Sequence, residues 1–257
     1  MRITFLEQKP VQGSSLLRLY VVPIFVLVCI LSACQSDTRH IRDYYFPLKQ
    51  LTEGLVYEYQ SVNNDSLAPE YWYFRSFVLD SGIYLTGTSY SPDLTPQQLV
   101  REEMVSNGMI LQDLYLYDSD STDFQQQVAA QIIAGNVFPF EVRDSGGIFL
   151  YKVSWQLPSE PGATTTLIKN RRYASDTTFV FQDKRYDCVV FEVRELLEYD
   201  LNGRFEQEFS SVEWYAKGLG LVYYRKDIAA DLILEYRLTD RYPMTHLEET
   251  FRQKLQQ

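Results

Sequence analysis

From Leu55 to Leu238 the chain repeats one pattern: short runs rich in Tyr, Phe, Val, Ile and Thr, each broken by Gly, Asn, Asp, Ser or Pro. Runs of that kind favour strands, whose successive side chains face opposite sides. The breakers favour turns tight enough to set neighbours antiparallel. The runs place strands at residues 55–62, 69–79, 82–90, 97–106, 109–117, 124–135, 148–157, 164–174, 177–183, 186–199, 204–216, 219–226 and 231–239. Asn107-Gly108 predicts a type I′ hairpin turn, with both central residues at positive φ. Asp80-Ser81-Gly82, Asp144-Ser145-Gly146-Gly147 and Asn202-Gly203 read as turns of similar chemistry. The stretch after Thr95-Pro96 also fits a helix start, but direct continuation from Asn107-Gly108 into the alternating Met109–Tyr117 favours a hairpin. The period changes after Pro243, where Leu247, Phe251 and Leu255 recur every fourth residue. Together with a capping-box-like Thr245-His246-Leu247-Glu248, that spacing predicts a short amphipathic helix, packed on the sheet or across its opening. The expected fold is mainly β, one curved antiparallel sheet or half-barrel of about 10–13 strands with a short C-terminal helix.

The first residues follow a different logic. Arg2, Lys9 and Arg18, with Glu7 the only acid, precede an apolar run from Leu19 to Leu31. At about 13 residues and interrupted by Pro23, that run is too short to cross a bilayer, and small residues follow it. The layout is that of a secretory signal. Leu31-Ser32-Ala33-Cys34 resembles the lipobox of bacterial lipoproteins: an aliphatic residue, two small residues and a cysteine that becomes the new N-terminus. The resemblance implies cleavage between Ala33 and Cys34, acylation of Cys34 and attachment to a membrane through that lipid. Two or three acyl chains hold a protein stably where one does not. Gln35, in place of the Asp associated with inner-membrane retention, implies the outer membrane. The absence of an acidic cluster after Cys34 favours the periplasmic face. The expected organisation is a signal peptide over 1–33, a lipidated N-terminus and polar tether over 34–43, and one β-rich domain over 44–257.

Loss of residues 1–33, which carry three basic and one acidic residue, takes the formal charge from −10 to −12. A balance that acidic argues against nucleic acid and against a face lying on anionic lipid. Cys29 leaves with the signal and Cys34 is acylated, so Cys188 is the remaining thiol. Its place in Asp187-Cys188-Val189-Val190-Phe191 marks a buried strand position.

Little in the chain suggests catalysis. His40 and His246 are the only histidines, no Gly-x-Ser-x-Gly elbow is present, and a His/Cys metal site lacks ligands. No catalytic residue, metal site or cofactor is therefore assigned. Asp118-Ser119-Asp120-Ser121-Thr122-Asp123 alternates carboxylates as calcium loops do but lacks the sixth-position Gly and the distal Glu, so it reads as a solvated turn. Tyr71-Trp72-Tyr73-Phe74 could stack on a sugar, yet consecutive strand residues face opposite sides, and cross-strand packing is the plainer reading.

Glu213-Trp214-Tyr215-Ala216-Lys217-Gly218-Leu219-Gly220-Leu221-Val222-Tyr223-Tyr224 resembles a hairpin found in uncharacterised bacterial envelope lipoproteins, and Tyr45-Phe46-Pro47-Leu48 resembles how such domains begin. The resemblance implies a strongly curved sheet, similar to the half-barrels of periplasmic lipoprotein carriers. It implies no working residues. The leading expectation is a non-catalytic lipoprotein that binds a lipid or other apolar ligand in the envelope. The rival is a structural lipoprotein that docks an envelope protein.

Overall fold

The computed structural model describes residues 38–119, 125–143, 146–254 and 256. Cys34, Ala33 and the signal segment therefore lie outside the described residues. Within them run β1 (Thr38–His40), β2 (Leu55–Ser61), β3 (Glu70–Leu79), β4 (Gly82–Tyr90), β5 (Pro96–Val105), β6 (Gly108–Ser119), β7 (Gln125–Ala129), β8 (Gln131–Pro139), β9 (Glu141–Arg143), β10 (Phe149–Trp155), β11 (Thr164–Phe181), β12 (Lys184–Asp200), β13 (Arg204–Ala216), β14 (Gly220–Ala229), β15 (Leu232–Tyr242) and α1 (Met244–Lys254). Thr38–Gln257 forms one compact unit.

The sheet is closed. Each strand pairs antiparallel with a near neighbour in sequence, in the order β5-β4-β3-β2-β15-β14-β13-β12-β11-β10-β8-β6, and β5 pairs with β6. β7 continues the line of β8 along β6, with the two separated at Ala130, whose N–H reaches the Leu114 carbonyl at 2.8 Å. The first and last strands of this meander meet directly, Val56 opposite Tyr242 and Tyr59 opposite Leu238. That long-range pairing turns the expected curved sheet into a barrel, in which, among the described residues, β7 pairs with β6 alone. The outer wall is charged at mid-strand: Arg172 meets Glu192 at 2.8 Å, and Arg101 pairs with Asp113. A lipid-facing barrel needs an apolar band at those positions.

An eight-stranded barrel is filled by its own side chains, and a wider ring is not. Here one end is filled by the chain leading into the barrel. Residues 41–51 fold inward through two single 3-10 turns, Arg42–Tyr44 and Leu48–Gln50. Ile41, Tyr45 and Leu51 are buried among Tyr57, Phe74, Leu85, Met109, Phe138, Phe191 and Tyr215. Ring contacts are dense: Phe46 lies 4.3 Å from Phe74 and Tyr45 lies 5.3 Å from Phe138, centroid to centroid. Backbone bonds hold the plug at several points. The Ile41 N–H donates to the Phe140 carbonyl (2.8 Å), Gly218 N–H to Asp43 (2.9 Å) and Ser76 N–H to Leu51 (2.9 Å). Thr38–His40, which the sequence pattern assigned to a polar lead segment, is a strand paired with Glu141–Arg143 at this same end.

The strand pattern matches the expected runs closely, with three informative differences. Residues 164–174 and 177–183 are one strand, bulged between Tyr173 and Ser175. The type I′ geometry falls at Gln182-Asp183 (φ 48° and 61°) and not at Asn107-Gly108. Val105 pairs with Gly108, so the latter turn is centred on Ser106-Asn107. Gly108 serves another purpose, because a β-carbon there would come 2.6 Å from the Phe138 carbonyl oxygen of β8. Finally, α1 does not cross the barrel opening. Leu247 packs with Val56 and Tyr71 on the outer wall, joined by Tyr73, Tyr90 and Met244. Leu255 lies outside the described residues.

Candidate functional site

The plug fills the barrel at one end. Towards the other end lies a lumen of ≈ 690 Å³, bounded at its mouth by Ala68-Pro69, Tyr90-Ser91-Pro92 and Gln97. That volume lies within the range of small-molecule sites.

Strand register gives the lumen two unlike walls. On β5 and β6 the inward apolar residues are Val100, Leu111, Leu114 and Leu116, with Gln98 and Glu102 between them on β5, and Trp155 of β10 and Leu167 of β11 extend the apolar stretch. β13 stands across the ring from them, and its stretch of wall is ionic. Lys169 and Arg171 (β11), Glu195 (β12), Ser211, Glu213 and Tyr215 (β13) and Lys226 (β14) fall on one face because Lys169 opposes Glu195 and Ser211 opposes Lys226. In each of these strands the charged residues alternate with outward ones, so the same period that buries Leu and Val inside also buries these groups.

Two ion clusters result. In the deeper one the Arg171 Nη2 sits 2.9 and 3.1 Å from the two oxygens of Glu213, and the Tyr215 hydroxyl donates to Glu213 Oε2 at 3.0 Å. Arg171 also donates to the Val137 carbonyl, while its Nε is buried without a hydrogen-bond partner. Burial alone would raise the Glu213 pKa, but the charges of Arg171 and Lys169 outweigh it and hold the carboxyl down at about 2. Nearby, the Tyr45 phenol of the plug donates to Glu102 of β5. Burial drives Glu102 up to about 7 against the lowering effects of that bond and of Arg171.

The shallower cluster centres on Glu195, whose side chain is fully buried. Its Oε1 accepts from Ser211 Oγ at 2.6 Å, and its Oε2 lies 3.4 Å from Lys169 Nζ and 3.6 Å from Lys226 Nζ. Burial works against the charged carboxylate, but both ammonium groups outweigh it, so its pKa is lowered. Lys226 is also lowered, first by the like charge of Lys169 and then by burial.

Residues singled out in the sequence fall mostly elsewhere. Trp72 and Phe74 face the lumen and stack at 5.7 Å, whereas Tyr71 and Tyr73 lie outside beneath α1. His40 meets Glu141 at 3.3 Å at the plugged end, and His246 packs its ring 4.9 Å from Tyr242 on the outer wall. Cys188 is fully buried, and desolvation pushes its thiol up to about 12. Asp118 accepts from the Ser159 N–H and hydroxyl, both at 2.8 Å, and so pins a mouth loop. Residues 120–123 of that acidic run lie outside the described residues. The two stretches that carried the envelope-lipoprotein resemblance meet: Gly220 of the hairpin abuts the Phe46 ring. Among the described residues no cluster of three or more metal-ligating side chains occurs.

Fold and site together define a plugged, antiparallel β-barrel with an open amphipathic lumen. No protein-family model matches the chain, and no curated protein matches it. Among solved structures, the chain is similar to a "putative lipoprotein" of Parabacteroides distasonis, at 10% identity and TM-score 0.46, covering 77% of this chain and 98% of that one. It is also similar to a "putative exported protein with YmcC-like fold" of Bacteroides fragilis, at 11% identity and TM-score 0.45, with the same coverage.

Proposed function

We propose that the protein is a non-catalytic envelope lipoprotein, anchored through lipid on Cys34 after cleavage behind Ala33, whose barrel holds a small molecule with a substantial apolar part. The observation that carries this reading is the lumen. It is closed at one end by a plug, open at the other, and lined along β5, β6 and β10 by Val100, Leu111, Leu114, Leu116 and Trp155. Burying an apolar chain against such a wall is favourable by about 25 cal/mol per Å² removed from water. The basic and apolar N-terminal segment and Leu31-Ser32-Ala33-Cys34 support the anchor, Gln35 supports the outer membrane, and the lack of an acidic cluster after Cys34 supports a periplasmic body.

Native mass spectrometry of residues 35–257, purified gently from cells, tests the container. A co-purifying apolar molecule near one per chain is the expected result. An empty barrel that takes up no offered lipid sinks the reading.

A second reading, docking of an envelope protein, draws on Val62, Leu201, Phe205, Leu232 and Ile233. All are exposed and sit on loops or strand ends around one arc of the mouth. It calls for co-isolation of a stoichiometric protein partner that is lost in Phe205→Ser/Leu232→Ser.

A further inference from the structure

The ionic wall contains more donors than its carboxylates use. Glu213 has both oxygens engaged, by Arg171 and Tyr215. Glu195 has one oxygen engaged by Ser211, and the other is approached by two ammonium groups, neither in good hydrogen-bond geometry. Glu195 is 0% exposed, whereas the Lys169 and Lys226 side chains keep 18% and 29% of their surface. Both lysines line the lumen, so that surface is lumen-facing. The groups that the cavity can touch are therefore the two cations and not the carboxylate behind them. Each ammonium carries three N–H donors, so most of this donor capacity is left for something in the lumen. Arg171 lies one inward position deeper on β11, nine-tenths buried and with its Nε unpartnered.

We propose that Lys169 and Lys226 form a head-group site for an anion, a carboxylate or phosphate, carried by an amphiphile whose apolar chain lies against Val100, Leu114, Leu116 and Trp155. The proposal rests on the container reading and names its ligand class. An anion between the two ammonium groups relieves the repulsion that depresses Lys226 and supplies acceptors in a desolvated setting, where charge-assisted bonds are strong. Val100, Leu114 and Leu116 stand on β5 and β6, across the ring from β13 and β14, while Trp155 on β10 borders the β11 strand that carries Lys169. One molecule can thus satisfy both walls, whereas a fully apolar ligand leaves the ammonium donors unmet.

The test compares three probes on residues 35–257: decanoate, decanol and inorganic phosphate, with binding followed by calorimetry. Wild-type protein should bind decanoate at least about tenfold more tightly than decanol, a gap of about 1.4 kcal/mol. Lys169→Met/Lys226→Met should lose that preference while still binding decanol. Lys169→Arg/Lys226→Arg should retain it, which separates loss of charge from loss of fold. Equal affinity of wild type for decanoate and decanol overturns the head-group assignment and leaves the container standing. No binding of either overturns the container itself. Phosphate binding without decanoate binding assigns the lysines to a free anion and overturns the amphiphile.

Discussion

The Phe46 ring occupies the space that a β-carbon on Gly220 would require: such an atom would lie 2.5 Å from Phe46 Cδ1. Gly220 also sits at φ 92°, where L side chains are strained. Gly218, two residues earlier, has φ 76° but nothing within 4 Å of its would-be β-carbon. Gly218→Ala should therefore cost only the backbone strain, about 1–2 kcal/mol. Gly220→Ala adds a clash with the plug and should cost about 2–4 kcal/mol in all. Urea midpoints give the difference, and limited proteolysis should show residues 41–51 released in the second variant alone.

Arg171 and Glu213 make a buried pair whose members depend on each other. Arg171→Met leaves an uncompensated carboxylate in the barrel and should destabilise by about 3–5 kcal/mol. Arg171→Met/Glu213→Leu should recover most of that loss. A double-mutant cycle on thermal or urea unfolding reads the coupling, and two simply additive effects would show that the pair is not one unit.

Stability should pass through a maximum in mild acid. Glu102 is raised from 4.5 to about 7, so its contribution is full below pH 4.5 and is lost as pH rises through 7. Glu213 is held at about 2, so its contribution is present above pH 4.5 and lost as pH falls towards 2. Glu102→Gln, which can still accept from Tyr45, removes the upper limb. The variant should match wild type near pH 4 and exceed it near pH 8 by up to about 3 kcal/mol. Urea midpoints across that range check it; parallel curves would place Glu102 in a wetter setting than its burial suggests.

Leu247 is buried against the outer wall, away from the lumen. Leu247→Asp should undock α1 and cost about 2–4 kcal/mol, while decanol uptake by the surviving folded protein stays unchanged. Loss of uptake at temperatures well below its midpoint would mean that α1 contributes to the lumen.

Local pattern made the meander legible because every hairpin joins neighbours with period-two side chains and turn residues between them. Closure was not legible, since it depends on Val56 finding Tyr242 across the whole domain. Residues 41–51 have neither helical nor strand period, so nothing marked them as the filling of a ring. The ionic lumen stayed hidden for a different reason. Val189 to Val193 on β12 is apolar on both faces or nearly so, and without knowing which face is inside, Glu195 looks like any surface acid. Gln182-Asp183 adopts left-handed backbone without a glycine, a geometry imposed by the strand pairing around it. The aromatic run at Tyr71 places two rings inside and two outside, as strand alternation alone dictates.

The pairing of Thr38–His40 with Glu141–Arg143 fixes where the chain enters the barrel: at the sealed base. Cys34 is four residues upstream, a reach of about 14 Å at full extension. A protein tethered through that cysteine hangs like a cup fixed by its foot. On the proposed anchor the rim would look away from the leaflet that holds it, and on the proposed container role a ligand would enter from the opposite side of the compartment.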